Sequence, residues 1–209
     1  MSVAEAPPSG NVYDKYSTPN PIERRLVDGF LAQLDELVER TGAREVHEVG
    51  CGEGELTVRL ARNGLRMRGT DAFPDVIDEA RDRARTEALE IDFETVPVEE
   101  LDPDRHAAEL IVCCEVLEHL DDAERAVEVL AGLARPWLIA SVPREPLWRV
   151  LNMARLKYWG DLGNTPGHLG HWSKRGFLEL LEPAFEVVKV ASPLPWTMAL
   201  CRVRTAAPS

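Results

Sequence analysis

The run Glu48-Val49-Gly50-Cys51-Gly52-Glu53-Gly54 constrains this chain more than any other. It follows the β-branched residues Val46 and Val49 and precedes the amphipathic stretch Leu56-Thr57-Val58-Arg59-Leu60-Ala61. That order reads as strand, tight glycine turn, helix. Glycine at alternate positions lets the backbone turn with positive φ and lets a ligand approach closely, because no Cβ intervenes. The spacing is G-x-G-x-G. The dinucleotide fingerprint G-x-G-x-x-G would need glycine at position 55, where Glu55 stands.

The residues beyond the loop narrow the possibilities. Leu65-Arg66-Met67-Arg68-Gly69-Thr70-Asp71 reads as a second strand ending in an acid, 17 residues beyond Gly54. In doubly wound folds a carboxylate at that place accepts the ribose hydroxyls of a nucleoside ligand. Asp is also a favoured helix N-cap, so capping the next helix is the plainer role for Asp71. That helix carries Val76, Ile77, Ala80 and Ala84 on one face. A third strand, residues 91–96, leads to Pro97-Val98. Ala108-Glu109-Leu110-Ile111-Val112-Cys113-Cys114 has the near-continuous apolar run of a strand buried on both faces. It ends in Glu115-Val116-Leu117-Glu118-His119-Leu120, and a fifth strand spans residues 137–143. Two last strands, at 186–190 and 198–203, complete the pattern.

The loop, the acid at Asp71 and the E-V-L-E-H-L run after the fourth strand, in this order over residues 46–143, resemble the motifs of class I S-adenosylmethionine (SAM) methyltransferases. The nearest likeness is to the ubiquinone-biosynthesis O-methyltransferases. The resemblance implies an α/β fold: a Rossmann-like, doubly wound, seven-stranded sheet, mostly parallel with an antiparallel last strand and helices on both faces. It implies SAM as methyl donor, with Gly50, Cys51, Gly52 and Gly54 around the methionine part, Glu48 orienting the loop, Asp71 on the ribose, Val98 beside adenine and Glu115 near the donor. Where the family commonly reads Asp-Ala, this chain has Pro97-Val98, so adenine recognition falls to backbone and apolar contact.

Glu115, Glu118 and His119 are spaced to share one face if their turn is helical. Two carboxylates and an imidazole suit a divalent cation such as Mg, with His168 or His171 completing the set. A metal-free reading has the glutamates capping helices. His119, His168 and His171 are each candidates for the general base, since a neutral imidazole is suited to removing an acceptor proton near pH 7.

Composition sets the outer bounds. With 209 residues, of which 44% are apolar, the chain forms one domain with a full core. Residues 1–18 read as a flexible segment and 19–209 as the methyltransferase domain, with an acceptor lid around 144–175. Tyr13 and Tyr16 are candidate contacts over the cofactor, and Trp148, Tyr158, Trp159 and Trp172 a candidate aromatic wall. No apolar run reaches the ~18 residues of a membrane span. Met1 to Gly10 lacks the pattern of a secretory signal, and the four cysteines show no zinc spacing. A cytoplasmic protein with reduced thiols is the expectation.

The net charge of −12 argues against binding long nucleic acids. Yet Arg144 to Arg175 holds six Lys/Arg against Glu145 and Asp161, a net +4 that would attract an anion. The expected acceptor is therefore a hydroxyl on a small, anionic or amphiphilic metabolite. The alternatives are 2′-O-methylation of an RNA end, using a Glu/Glu/His metal site, and a non-catalytic partner subunit with the same fold.

Overall fold

The computed structural model describes residues 19–144 and 170–204. The N-terminal segment 1–18 with Tyr13 and Tyr16, most of the lid with Trp148, Tyr158, Trp159 and His168, and residues 205–209 lie outside the described residues.

The first helix, α1 (Pro21–Thr41), has its limits set by the residues at its two ends. Asn20 accepts a hydrogen bond from the Ile22 amide, Pro21 occupies the first turn, and Gly42 closes the helix in the left-handed conformation. Its buried stripe is Val27, Phe30, Leu34, Leu37 and Val38. A short turn then enters β1 (Glu45–Val49). Next along the chain come α2 (Glu55–Arg62), β2 (Arg66–Asp71), α3 (Pro74–Thr86), β3 (Asp92–Thr95), α4 (Pro103–His106) and β4 (Ala108–Cys114). The remaining elements are α5 (Ala123–Leu133), β5 (Ala134–Pro143), α6 (Lys174–Leu181), β6 (Phe185–Ala191) and β7 (Trp196–Val203).

The seven strands pair in the order β3-β2-β1-β4-β5-β7-β6. Strands β1 to β5 run parallel, and β7 lies antiparallel between β5 and β6. This is the expected doubly wound sheet with an antiparallel last strand. The chain leaves β1 for β2 and β3, then returns to place β4 on the other side of β1. The carboxyl ends of β1 and β4 thus diverge, and such a switch point opens a crevice for ligands.

Strand β4 shows how the core is divided. Leu110, Ile111, Val112 and Cys113 are all fully buried. Leu110 and Val112 join the cluster under α1 and α2, with Phe30, Leu34 and Leu60. Ile111 and Cys113 join the cluster under α5 and α6, with Leu130, Leu133, Phe177 and Leu181. The two-residue period of a strand sends alternate side chains to opposite faces, which explains the unbroken apolar run. A third cluster packs Ile77, Ala80 and Ala84 of α3 with Val58 and Phe93, matching the face expected for that helix.

Most strand limits lie within one residue of the sequence reading, but two strands begin earlier than that. Strand β5 begins at Ala134, because it pairs with Ala108 at the start of β4. Strand β7 begins at Trp196, because it pairs with the end of β5 at Pro143. Partner strands, more than local propensity, set both limits. No disulfide joins the four cysteines. Among the described residues no helix is long and apolar enough to cross a membrane.

One polar chain is buried in this core. His47 of β1 donates from Nδ1 to the His106 carbonyl at 2.8 Å, and its Nε2 accepts from the Thr70 hydroxyl at 2.9 Å. A carbonyl can only accept, so the geometry fixes the neutral tautomer. Burial pushes the His47 imidazole down to about 4. The unfolded chain, titrating near the ordinary value of about 6.5, takes up a proton that the folded state refuses. Stability from this group is therefore complete above pH ~6.5 and is lost as pH falls toward about 4. Urea denaturation should show wild type losing about 2 kcal/mol between about pH 7 and pH 5 through this residue. His47→Gln should start less stable at neutral pH but have a flatter pH profile. Parallel profiles for the two proteins would refute this account.

Candidate active site

The glycine loop leaves β1 at the switch point and is tied to the end of β2. The amides of Gly50 and Cys51 both donate to the Thr70 carbonyl, at 2.7 and 3.0 Å. The Gly52 amide donates to Asp71 Oδ2 at 3.0 Å, while Oδ1 accepts from the Phe73 amide at 3.1 Å. One dipeptide, Thr70-Asp71, thus holds three consecutive loop amides. The sequence reading gave no role to Thr70 or His47; the His47–Thr70 hydrogen bond fixes the Thr70 side chain from behind.

Two of the loop glycines are required for different reasons. Gly50 has φ +74, and a Cβ there would overlap the Val116 side chain. The loop after β1 therefore packs directly on the turn after β4. Gly52 has φ +51, but a Cβ on it would meet nothing within 4 Å. Its outer side is open space at the sheet's carboxyl edge, as a close-fitting ligand requires.

Glu48 is buried and accepts a hydrogen bond from the Thr57 hydroxyl, which locks the first turn of α2 to β1. Asp71 is half-buried, and burial raises its carboxyl above the ordinary range, opposed by the amides of Gly52, Phe73 and Ala72. The Phe73 bond forms a local turn ahead of α3, whose N-cap is Phe73 itself with no side-chain cap bond, so Asp71 does not cap that helix. Each carboxylate oxygen retains a second lone pair for hydroxyl donors. Phe73 itself, 42% exposed, stands on the rim beside Asp71. The Cys51 side chain is buried among Val58, Ile77 and Phe93, and burial drives its thiol well up, so only its backbone faces the loop. Val98 begins a short 3-10 turn, Val98–Glu100, and its side chain packs in the large core cluster.

Across the crevice, Glu115 follows β4 with φ +58, its amide donating to the Ser141 carbonyl at 3.0 Å. Its carboxylate Oε1 accepts from the Trp196 indole N–H. Trp196 in turn meets Phe30 of α1 edge-on, with ring centroids 5.1 Å apart. Sequence reading missed Trp196. Its signal was weak: an aromatic after Pro193-Leu194-Pro195, 81 residues from its partner.

The expected shared face of Glu115, Glu118 and His119 does not form. Only Leu117–His119 make a helical turn, and it is 3-10; Glu115 lies before it in left-handed geometry. Glu118 is 1% exposed, whereas His119 is exposed. The metal set Glu115, Glu118 and His119 is therefore corrected: among the described residues no three His, Cys, Asp or Glu side chains group to hold a cation. The physical reason is the left-handed residue, which breaks the i, i+3, i+4 register of a helix.

The candidate bases fare differently. The Gly170 amide donates to the Glu118 carbonyl at 3.0 Å. His119 and His171 are the next residues on either side of that bond, so the fold brings them to one corner. Trp172, half-buried, bridges Arg144 and packs at the edge of the main core. Ser173 then caps α6 through the Gly176 amide.

A doubly wound sheet with a clamped glycine loop and an acid at the end of β2 defines a nucleoside-binding site of the class I type. Residues 46–136 match the family model described as a methyltransferase domain. The ubiquinone biosynthesis O-methyltransferase of Coxiella burnetii is 29% identical over 154 residues, covering 66% of this chain and 65% of that protein. The protein of that name from Xylella fastidiosa is 34% identical over 166 residues, covering 72% and 66% respectively. The chain thus spans just under two thirds of the length of these relatives. In fold it is similar to magnesium protoporphyrin IX methyltransferase from Synechocystis PCC 6803 with bound SAH, with TM-score 0.69, 21% identity and 91% of each chain covered. The chain belongs to the class I SAM-dependent methyltransferases.

The two glycines give a paired test. Gly52→Ala should cost about 1 kcal/mol of stability for the left-handed backbone, yet abolish S-adenosylhomocysteine binding by calorimetry. Gly50→Ala should lose about 2 kcal/mol or more, because overlap with Val116 adds to the strain. If Gly52→Ala binds like wild type, the open side of the loop does not face the ligand.

Proposed function

We propose that this protein transfers the methyl group of SAM to a hydroxyl oxygen of a small organic acceptor. The observation that carries the reading is the loop whose amides are held by Thr70 and Asp71 while the side of Gly52 stays open. Support for oxygen as the acceptor atom comes from the named activity of the relatives.

SAM supplies a methyl carbon already activated by the adjoining sulfonium. The chain's task is then alignment and proton removal. Gly52 admits the methionine part against bare backbone, while Gly50 and Gly54 let the loop pack on Val116 and Ala80, and Glu48 keeps α2 in register with the loop. Asp71 receives the ribose hydroxyls on its remaining lone pairs. The backbone at Pro97-Val98 and the exposed ring of Phe73 border the adenine. The Glu115 carboxylate, fixed by Trp196, borders the methyl donor from the β4 side. His119 or His171 takes the acceptor proton as the new O–C bond forms and the C–S bond breaks.

Asp71→Ala should weaken S-adenosylhomocysteine binding by at least about tenfold, as loss of hydrogen bonds to a charged group predicts. Asp71→Asn, which keeps the shape, should retain the fold by thermal melting. Transfer of label from methyl-labelled SAM into a cell extract, partitioned between RNA and solvent-extractable pools, tests the acceptor class. Label in the solvent pool is expected. Label in RNA would establish the RNA-end alternative, and an unliganded wild type would leave the non-catalytic reading standing.

A further inference from the structure

Strand β1 runs inside the sheet, between β2 and β4, yet it carries an imidazole where an aliphatic side chain would pack. His47 is 1% exposed, and Thr70, near the end of β2, is fully buried. Two neighbouring core positions are therefore polar. Burying such groups is costly unless their polar atoms are bonded. Here they are: one ring nitrogen of His47 meets the His106 carbonyl at 2.8 Å and the other the Thr70 hydroxyl at 2.9 Å.

The register explains how the pair forms. His47 stands opposite Arg68, and Thr70, two residues further along β2, shares its face of the sheet. The imidazole therefore reaches along the sheet, with Nε2 toward the carboxyl edge. Its Nδ1 is tied at the other end to His106, the last residue of α4, whose own Nδ1 accepts from the Asp102 amide at 2.9 Å. His47 thus braces the residue that holds the glycine loop against a fixed point just before β4.

Stability alone is a poor reason for such a pair, because replacing both partners by apolar groups of the same shape is nearly neutral. What a hydrogen bond adds is direction. Apolar packing is non-directional, whereas a hydrogen bond weakens steeply as it bends. Direction matters at Thr70, whose carbonyl accepts from the Gly50 amide at 2.7 Å and the Cys51 amide at 3.0 Å. A turn of that one peptide plane misaims both bonds. The next side chain, Asp71, holds the Gly52 amide at 3.0 Å, so the orientation set at Thr70 carries through to the acid.

We infer that His47 is a positioning residue for the methyl donor: through the Thr70 hydroxyl it fixes the Thr70 peptide, and that peptide sets the Gly50–Gly52 backbone in the geometry that admits SAM. The inference rests on the reading of the glycine loop as the donor site. The ring nitrogens of His47 reach the loop only through Thr70, so the residue acts on donor affinity from within the core.

The test is a double-variant cycle on the full chain, with S-adenosylhomocysteine affinity read by calorimetry and stability by thermal melting. Thr70→Val keeps the shape and removes the hydroxyl. It should weaken S-adenosylhomocysteine about tenfold, and His47→Leu should do the same. Thr70→Ser keeps the hydroxyl and should bind close to wild type. The double variant should melt above His47→Leu, because no hydroxyl is left stranded, yet bind as weakly as either single variant. Hydrogen exchange at the Gly50 and Cys51 amides should quicken in Thr70→Val ahead of the amides of β5 and β7. Affinity that recovers with the melting temperature in the double variant would show a merely structural role and overturn the assignment. So would wild-type affinity in Thr70→Val, or exchange that quickens evenly across the sheet. Should His47→Leu fail to fold, the contrast between Thr70→Val and Thr70→Ser still decides. Absence of S-adenosylhomocysteine binding in wild type would instead overturn the donor-site reading, so the two failures are told apart.

Discussion

The Thr70 carbonyl accepts from two successive amides, those of Gly50 and Cys51, and the neighbouring Asp71 carboxylate accepts from a third, that of Gly52. Every feature of the crevice depends on this clamp. It holds the loop in left-handed geometry, sets the loop against Val116 on the β4 side, and presents the bare side of Gly52 outward. The clamp is supported from within: the Thr70 hydroxyl is bonded to His47, and His47 to the backbone of His106. Beyond it, His106 reaches Glu94 at 3.2 Å, and Glu94 pairs with Arg105. A line of polar contacts thus runs from the loop through the core to the surface. Such networks rigidify a site when every member is satisfied.

The opposite wall of the crevice is built on different physics. Glu115 has a positive φ, an uncommon conformation for a residue with a side chain. It is held by the hydrogen bond its amide donates to the Ser141 carbonyl and by the one its carboxylate accepts from the Trp196 indole. That conformation ends β4 abruptly and aims the following turn back toward the loop. The same residue prevents Glu115, Glu118 and His119 from lining one helical face, so the left-handed turn that builds the wall also removes the three-ligand arrangement. Backbone strain at a site of this kind is sustained by the contacts around it.

The chain is strongly acidic, with 36 Asp and Glu against 24 Lys and Arg. Much of the surface charge is engaged in local ion pairs, such as Arg59 with Asp35 and Lys189 with Glu36. Pairs of this exposure add little to stability, but they neutralise the field around them. Arg25, set among apolar side chains at the start of α1, has no such partner among the described residues.

Much of the architecture was legible in the residues. The glycine spacing, the acid ending β2 and the apolar run of β4 each obey local rules: positive φ needs glycine, a strand end presents its last side chain, and a doubly buried strand is apolar throughout. These marks placed Gly50, Gly52, Gly54 and Asp71 together at one edge. The sequence could not reveal Trp196 beside Glu115 or the His47–Thr70 bond, which join residues 81 and 23 positions apart. Nor could it show that the E-V-L-E-H run would turn left-handed at its first residue. Sequence alone determined the order of strands and the loop that a donor requires, because those features are set by neighbours along the chain. Tertiary structure decided which groups face one another across the crevice, because packing and long-range hydrogen bonds arise only when distant segments meet.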